Sequence, residues 1–134
     1  MRRENGMTTV MTVLLALALL AGAGLVLDGG RALADRRDLA TQAEQAARVA
    51  ADALDRGSLR DGGEPRVDEN AARTAAHEYL RGSGTPSQAA IRIDGGTVTV
   101  ELEGVSAPAI LSAVGVDQIP IAATGTARSI DDRN

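Results

Sequence analysis

The sequence predicts an α+β protein: an N-terminal transmembrane helix continued by an amphipathic helix, then a small domain with one further helix and a three-stranded antiparallel sheet. Three observations support this prediction. Residues 7–27 form an uncharged apolar run, two stretches between residues 31 and 81 repeat apolar positions every three or four residues, and residues 91–128 contain alternating runs. Steps of three and four indicate helix, whereas a period of two indicates strand.

The apolar run, MTTVMTVLLALALLAGAGLVL, contains no charged residue. As a helix it spans about 31 Å, which matches a hydrocarbon core of about 30 Å. Arg2 and Arg3 precede the run, and positive residues tend to stay on the cytoplasmic side. We therefore predict a single-pass protein of the cell (inner) membrane, in contact with membrane lipid, with residues 1–6 in the cytoplasm and the C-terminal domain outside it.

A cleaved signal peptide is the alternative interpretation of the same run. Small residues at Ala21, Gly22 and Ala23 fit the type of site that signal peptidases recognise. The apolar run continues beyond them to Leu27, which is longer than a typical signal-peptide core. This length favours a retained anchor.

Residues 28–56 are predicted to form an amphipathic helix after a hinge at Gly29 and Gly30, because each glycine inside a helix costs about 1 kcal/mol relative to alanine. The apolar stripe of this helix is rich in alanine and narrow. Such a stripe allows close packing but buries little area, so we expect it to contact a helix of a partner protein. The predicted partner-packing residues are Leu39, Ala43, Ala47, Ala50 and Leu54.

The small extracytoplasmic domain is predicted to occupy residues 57–128, starting with a polar loop at 57–66 that Gly57 opens. A second helix is expected at 68–81, with Asp68 as its N-cap. The flexible tail is expected at residues 129–134.

The strands of this domain are predicted from alternation. Two alternating runs flank Gly95-Gly96, the pattern of a hairpin whose tight turn needs positive φ. Residues 108–114 are expected to form a short helix with proline in its first turn. Residues 119–128 form the third strand, and Pro120 suggests an edge position or a strand entry.

The composition argues against catalysis and ligand chemistry. The chain has no Cys and a single histidine, His77, so we expect no disulfide, no metal site and no cofactor. The net charge is -4 and aromatic residues make up 1% of the chain, which argues against a nucleic-acid partner. No small-molecule substrate is evident from the sequence. We therefore predict that the protein is not an enzyme.

The order of these segments resembles a known family. The apolar span, the sequence GLVLDGGRAL at residues 24–33 and the sequence RRDLATQA at residues 36–43 resemble the N-terminal region of TadE/TadG-like proteins, over roughly residues 1–56. The closing strand, residues 119–128, also resembles the last strand of TadE-like proteins. These proteins are associated with assembly of Flp-type (tight adherence) pili.

The resemblance implies a pilin-like or assembly subunit that works with other pilus subunits and membrane platform proteins. Substrates of prepilin peptidase typically present a glycine at the cleavage point and a glutamate five residues later. Here Gly6 could supply the glycine, but Met11 stands at the fifth position, so we predict no cleavage at Gly6. The alternative function is a membrane-anchored or secreted extracytoplasmic binding module unrelated to pili.

Overall fold

The structure is a computed structural model that describes residues 3–60, 68–84, 88–94 and 96–128. Two helices come first, α1 (Arg3–Arg60) and α2 (Glu69–Gly82). Strands β1 (Gln88–Asp94) and β2 (Thr97–Ser106) follow, then a 3₁₀ helix (Leu111–Val114) and strand β3 (Ile119–Arg128). The predicted fold class is confirmed: a long apolar N-terminal helix, a second helix and a three-stranded antiparallel sheet.

The chain divides into two compact units. The first, here called the helix–loop unit, contains the residues up to Ala34 together with Val105–Ile119. The second, here called the sheet unit, contains Asp35–Gly104 and the chain from Pro120 onward. Each unit has its own set of contacts and is described in turn.

In the helix–loop unit, α1 continues through Gly29 and Gly30 without interruption. The helix is therefore continuous at the predicted hinge, and a hinge there stays a prediction. The cost of two glycines is local, whereas long helical stretches on both sides supply the hydrogen bonds that keep the helix continuous. A side chain at either position would meet no atom within 4 Å, so neither glycine is required by packing.

Two further boundaries differ from those predicted. α1 extends to Arg60, so Gly57 lies inside the helix and does not end it. The predicted short helix at 108–114 is reduced to the 3₁₀ helix Leu111–Val114. Ala109 and Ile110 precede this 3₁₀ helix, and their N–H groups donate to a side chain of α1.

In the sheet unit, the strands lie in the order β1-β2-β3, so β3 is an edge strand that accommodates Pro120. β1 and β2 pair antiparallel, with Asp94 opposite Thr97. Gly96 in the connecting turn has φ +81°, which a residue with a Cβ rarely adopts. The predicted hairpin is confirmed, although Gly95 lies outside the described residues.

The second helix begins as predicted. The Asp68 carboxylate accepts hydrogen bonds from the N–H groups of Asn70 and Ala71, at 3.0 and 3.2 Å, which satisfies two of the donors that a helix start leaves open. Arg73 of α2 donates to the carbonyl of Ile91 at 2.6 Å and thereby links α2 to β1.

The core of the sheet unit lies between α1, α2 and the sheet, and its side chains are mostly small. Because alanine brings little apolar area, the elements must approach closely to exclude water. The core residues are Leu39, Ala43, Ala46, Ala47, Ala50 and Ala51 of α1, Ala72, Ala76 and Leu80 of α2, and Ile91, Val98, Val100, Leu102 and Ala123 of the sheet.

Gly125 shows how close this approach is. A Cβ built at Gly125 would overlap the backbone of Ala43 and Glu44 in α1. β3 therefore lies directly against the backbone of α1, and Arg36 adds a hydrogen bond from its Nε to the carbonyl of Ala122 at 3.1 Å.

Candidate functional site

The apolar part of α1 exposes its large side chains. Met7, Leu17 and Leu27 are 78%, 56% and 59% exposed, and the run between Met7 and Leu27 follows the same pattern. Within the part of the chain that the structure describes, one helix is long and apolar enough to cross a membrane, and it contains this run. A continuous apolar surface of this length is unfavourable in water, and it is consistent with a single membrane anchor.

Asp28, the first charged residue after the apolar run, is 1% exposed. Its Oδ1 accepts a hydrogen bond from the N–H of Ala109 at 2.9 Å. Its Oδ2 accepts from the N–H groups of Ile110 and Leu111 at 2.9 and 2.7 Å. One carboxylate therefore fixes three successive N–H groups that lie more than eighty residues away along the chain.

These contacts decide the protonation state of Asp28. Burial on its own would raise the pKa of this carboxyl, because a charged group loses hydration. The hydrogen bonds from Leu111, Ala109 and Ile110 act in the opposite direction, as does the charge of Arg31, and together they hold the pKa of Asp28 below its ordinary value of 3.8. The group is therefore an anion at neutral pH.

A close apolar contact lies beside this anchor point. Gly24 faces Ile110, and a Cβ built at Gly24 would come within 2.5 Å of Ile110 Cγ2. Because real Cβ atoms do not approach another carbon so closely, a side chain at Gly24 would displace Ile110. Gly24 and Asp28 are one helical turn apart, so they hold the same part of the segment that follows β2.

Contact of the five predicted partner-packing residues with a partner stays a prediction, and four of them are covered by the chain itself. Leu39, Ala43, Ala47 and Ala50 are buried in the core of the sheet unit, and Leu54 lies outside the residues whose side chains are described. The prediction assumed that the stripe was too narrow to be covered by the chain's own sheet. Gly125 and the short side chains of β3 allow the sheet to approach and cover the stripe. These four residues are therefore part of the protein's own core.

The described residues contain no group of three or more His, Asp or Glu side chains that could hold a metal ion. His77 is exposed on α2, and Arg92 pairs with Glu101 across the hairpin at 3.1 Å on an exposed face. These arrangements are typical of a solvated surface.

No pattern in the sequence predicts the contacts of Asp28. Two signals were present: Asp28 directly follows an apolar run, and residues 105–116 carry no charge. Neither signal shows that the two segments meet, because a contact between distant parts of the chain leaves no periodic pattern. The structure brings them together.

The comparisons with known proteins concern the same N-terminal part. Residues 6–53 match the model of a family described as putative Flp pilus-assembly TadE/G-like, in agreement with the resemblance over residues 1–56. No curated protein and no solved structure matches the chain. The match contains the apolar run, Asp28 and most of the α1 stripe that enters the core. Residues 6–53 are therefore similar to the TadE/G-like domain that this family model describes.

Proposed function

We propose that this protein is a single-pass membrane subunit in the assembly of a Flp-type pilus or a related envelope secretion apparatus, and that it acts through protein–protein contacts. The observation that carries the proposal is the family match over residues 6–53, because family membership implies a role in Flp pilus assembly. The exposed apolar surface of residues 7–27 supports the membrane location.

The proposed orientation has the N-terminus in the cytoplasm and the sheet unit outside. Arg2 and Arg3 support it. The chain has no cysteine, so a single introduced cysteine is the only site for a thiol reagent. We expect a membrane-impermeant maleimide added to intact cells with a permeabilised outer envelope to label Thr126→Cys, an exposed position of β3, and to leave Asn5→Cys, which keeps both arginines, unlabelled. The reverse pattern would contradict the orientation.

Crosslinking in native membranes, followed by mass spectrometry, tests the role in assembly. We expect the full chain to crosslink to other pilus subunits, the membrane platform or components of the secretion ATPase complex. Crosslinks confined to proteins outside this apparatus, in cells that assemble the pilus, would contradict the proposal. They would favour the alternative, an extracytoplasmic binding module.

The partner surface in this proposal differs from the α1 stripe that the sequence suggests. Leu39 and the alanines of the stripe are covered by the chain itself, whereas Arg48 on the same helix and the side chains of residues 7–27 are exposed. Photo-crosslinkers at Leu17 and Arg48 therefore sample the available surface without disturbing the core. The hinge predicted at Gly29 and Gly30 would serve this function by letting the membrane segment tilt.

A further inference from the structure

The segment from Val105 to Val116 has an apolar surface. It contains no charged residue, and its only polar side chains are Ser106 and Ser112. Val105, Ile110 and Val116 are 58%, 39% and 40% exposed. Single exposed apolar side chains are common on soluble proteins, but three on one short uncharged segment, here called the patch, suit an apolar environment.

Much of the backbone of this segment is also hydrogen-bonded within the chain. Pro108 has no N–H group, and the Ser112 hydroxyl donates to the carbonyl of Ala109 at 3.0 Å. An unpaired N–H is costly where water is scarce, so internal pairing is what a lipid-exposed segment needs. Six N–H groups have a partner: those of Ala109, Ile110 and Leu111 donate to Asp28, and those of Ala113, Gly115 and Val116 donate to carbonyls within the segment.

The segment lies against the end of the apolar run. Ile110 contacts Gly24, which precedes the last apolar residue, Leu27, by three positions. Three residues of helix correspond to about 4.5 Å along the helix axis, and interfacial segments bury their apolar faces about 5–10 Å into the boundary between headgroups and acyl chains. A helix that spans the membrane with residues 7–27 therefore holds Ile110 at that boundary.

We propose that residues 105–116 insert into the lipid boundary of the leaflet that faces the C-terminal part of the chain, and so form a second membrane contact beside the anchor helix. Asp28 acts as the positioning residue, because it fixes the segment at Ala109–Leu111. The occupant of the exposed patch is lipid, since Ile110 of the patch lies against Gly24 within the apolar run of α1. This inference rests on the proposed membrane anchor.

Fluorescence quenching of the full-length chain in phospholipid vesicles tests the proposal. Single cysteines carrying an environment-sensitive fluorophore are placed at Val116 and Ile110 in the segment, at Leu17 in the anchor and at Thr126 as an exposed control. The quenchers are spin-labelled lipids, one with its nitroxide near the headgroup and others with the nitroxide deeper along the acyl chain, and, separately, aqueous iodide. Val116→Cys is the more informative variant, because Ile110→Cys also changes the contact with Gly24.

We expect the spin-labelled lipid to reduce the fluorescence at Val116 and Ile110, with blue-shifted emission, and iodide to have little effect there. Thr126 should show the opposite pattern. If Leu17 is quenched by lipid but Val116 responds only to iodide, the second contact is wrong and the anchor stands.

If Val116 is shielded from both quenchers at high dilution in lipid, protein covers the patch and the proposal is overturned. If Leu17 itself is not quenched by the lipid nitroxide at any depth along the acyl chain, the anchor is wrong and the inference fails with it.

Discussion

Asp28 shows how one buried charge can organise a loop. A carboxylate removed from water is unfavourable unless hydrogen bonds replace its hydration, and here three N–H groups at 2.7–2.9 Å do so. The donors also gain partners, because Ala109 and Ile110 precede and Leu111 begins a short 3₁₀ helix whose first N–H groups have no acceptor within it. The anion and the loop therefore stabilise each other.

Replacement of Asp28 by asparagine tests this interdependence. Asp28→Asn keeps the shape but loses the charge and turns one acceptor into a donor facing N–H groups. We expect faster amide hydrogen exchange at Ala109–Leu111. Asp38→Asn changes the net charge equally at an exposed position of α1 and should leave that exchange unchanged. Equal exchange in both variants would show that Asp28 does not hold the loop.

The same contacts predict a dependence on pH. The pKa of Asp28 is lowered in the folded protein, so the folded state binds this proton more weakly than the unfolded chain does. The stabilisation is then complete above pH 3.8 and is lost as the pH falls through the lowered pKa. We expect protection of Ala109–Leu111 against exchange to disappear only in that acidic range. A loss of protection already near pH 5 in the wild-type chain would contradict the assignment.

At the scale of elements, the sheet unit depends on the close approach of β3 to α1. A methyl group at Gly125 would overlap backbone atoms of Ala43 and Glu44, which move less easily than the end of a side chain. We expect Gly125→Ala to lower the free energy of unfolding by about 1–3 kcal/mol, measured by denaturation of the full chain in detergent.

Gly104→Ala is the matched control, because its Cβ would lie 3.8 Å from Ile121 and Leu39, an ordinary contact. Alanine in a strand loses less conformational entropy on folding than glycine does. The control should therefore be neutral or slightly stabilising. Equal destabilisation by both variants would show that the contact with α1 is not the cause.

The burial of the α1 stripe gives a second prediction for this element. Ala47 is 0% exposed, so Ala47→Glu places a carboxylate without partners in the core and should destabilise the sheet unit by about 3 kcal/mol or more. Arg48→Glu introduces the same residue at the neighbouring exposed position and should change stability little. If Ala47→Glu keeps its full stability and loses only a protein partner, the stripe is a partner surface after all.

The sequence predicts an element well when residues that are close together in the chain determine its structure. β3 matches the predicted residues 119–128 because its alternation is complete, and Asp68 caps α2 because its side chain acts on the next few residues. The features that the sequence does not predict arise from contacts between segments that are far apart in the chain. Ala43 is covered by Gly125 of β3, and the segment after Pro108 is held by Asp28 of α1, so neither follows from a pattern within one segment.

At the scale of the whole molecule, the chain combines an exposed apolar helix with a domain that has almost no aromatic residues. A core built from alanine, valine, isoleucine and leucine buries less area per residue, and we expect modest stability for the sheet unit. The uncharged segment 105–116 lies beside the end of that helix's apolar run, where Ile110 contacts Gly24. Both features fit a subunit that remains in a membrane and is supported by neighbours.

The most direct test of this account is the location and N-terminus of the mature chain in its own cells. We expect the protein to stay in the membrane fraction after alkaline carbonate extraction and to retain residues 7–27, as shown by intact mass and N-terminal sequencing. A mature chain that is free in the medium and begins near residue 24 would contradict the account, because it would show that the apolar run is a removed signal peptide.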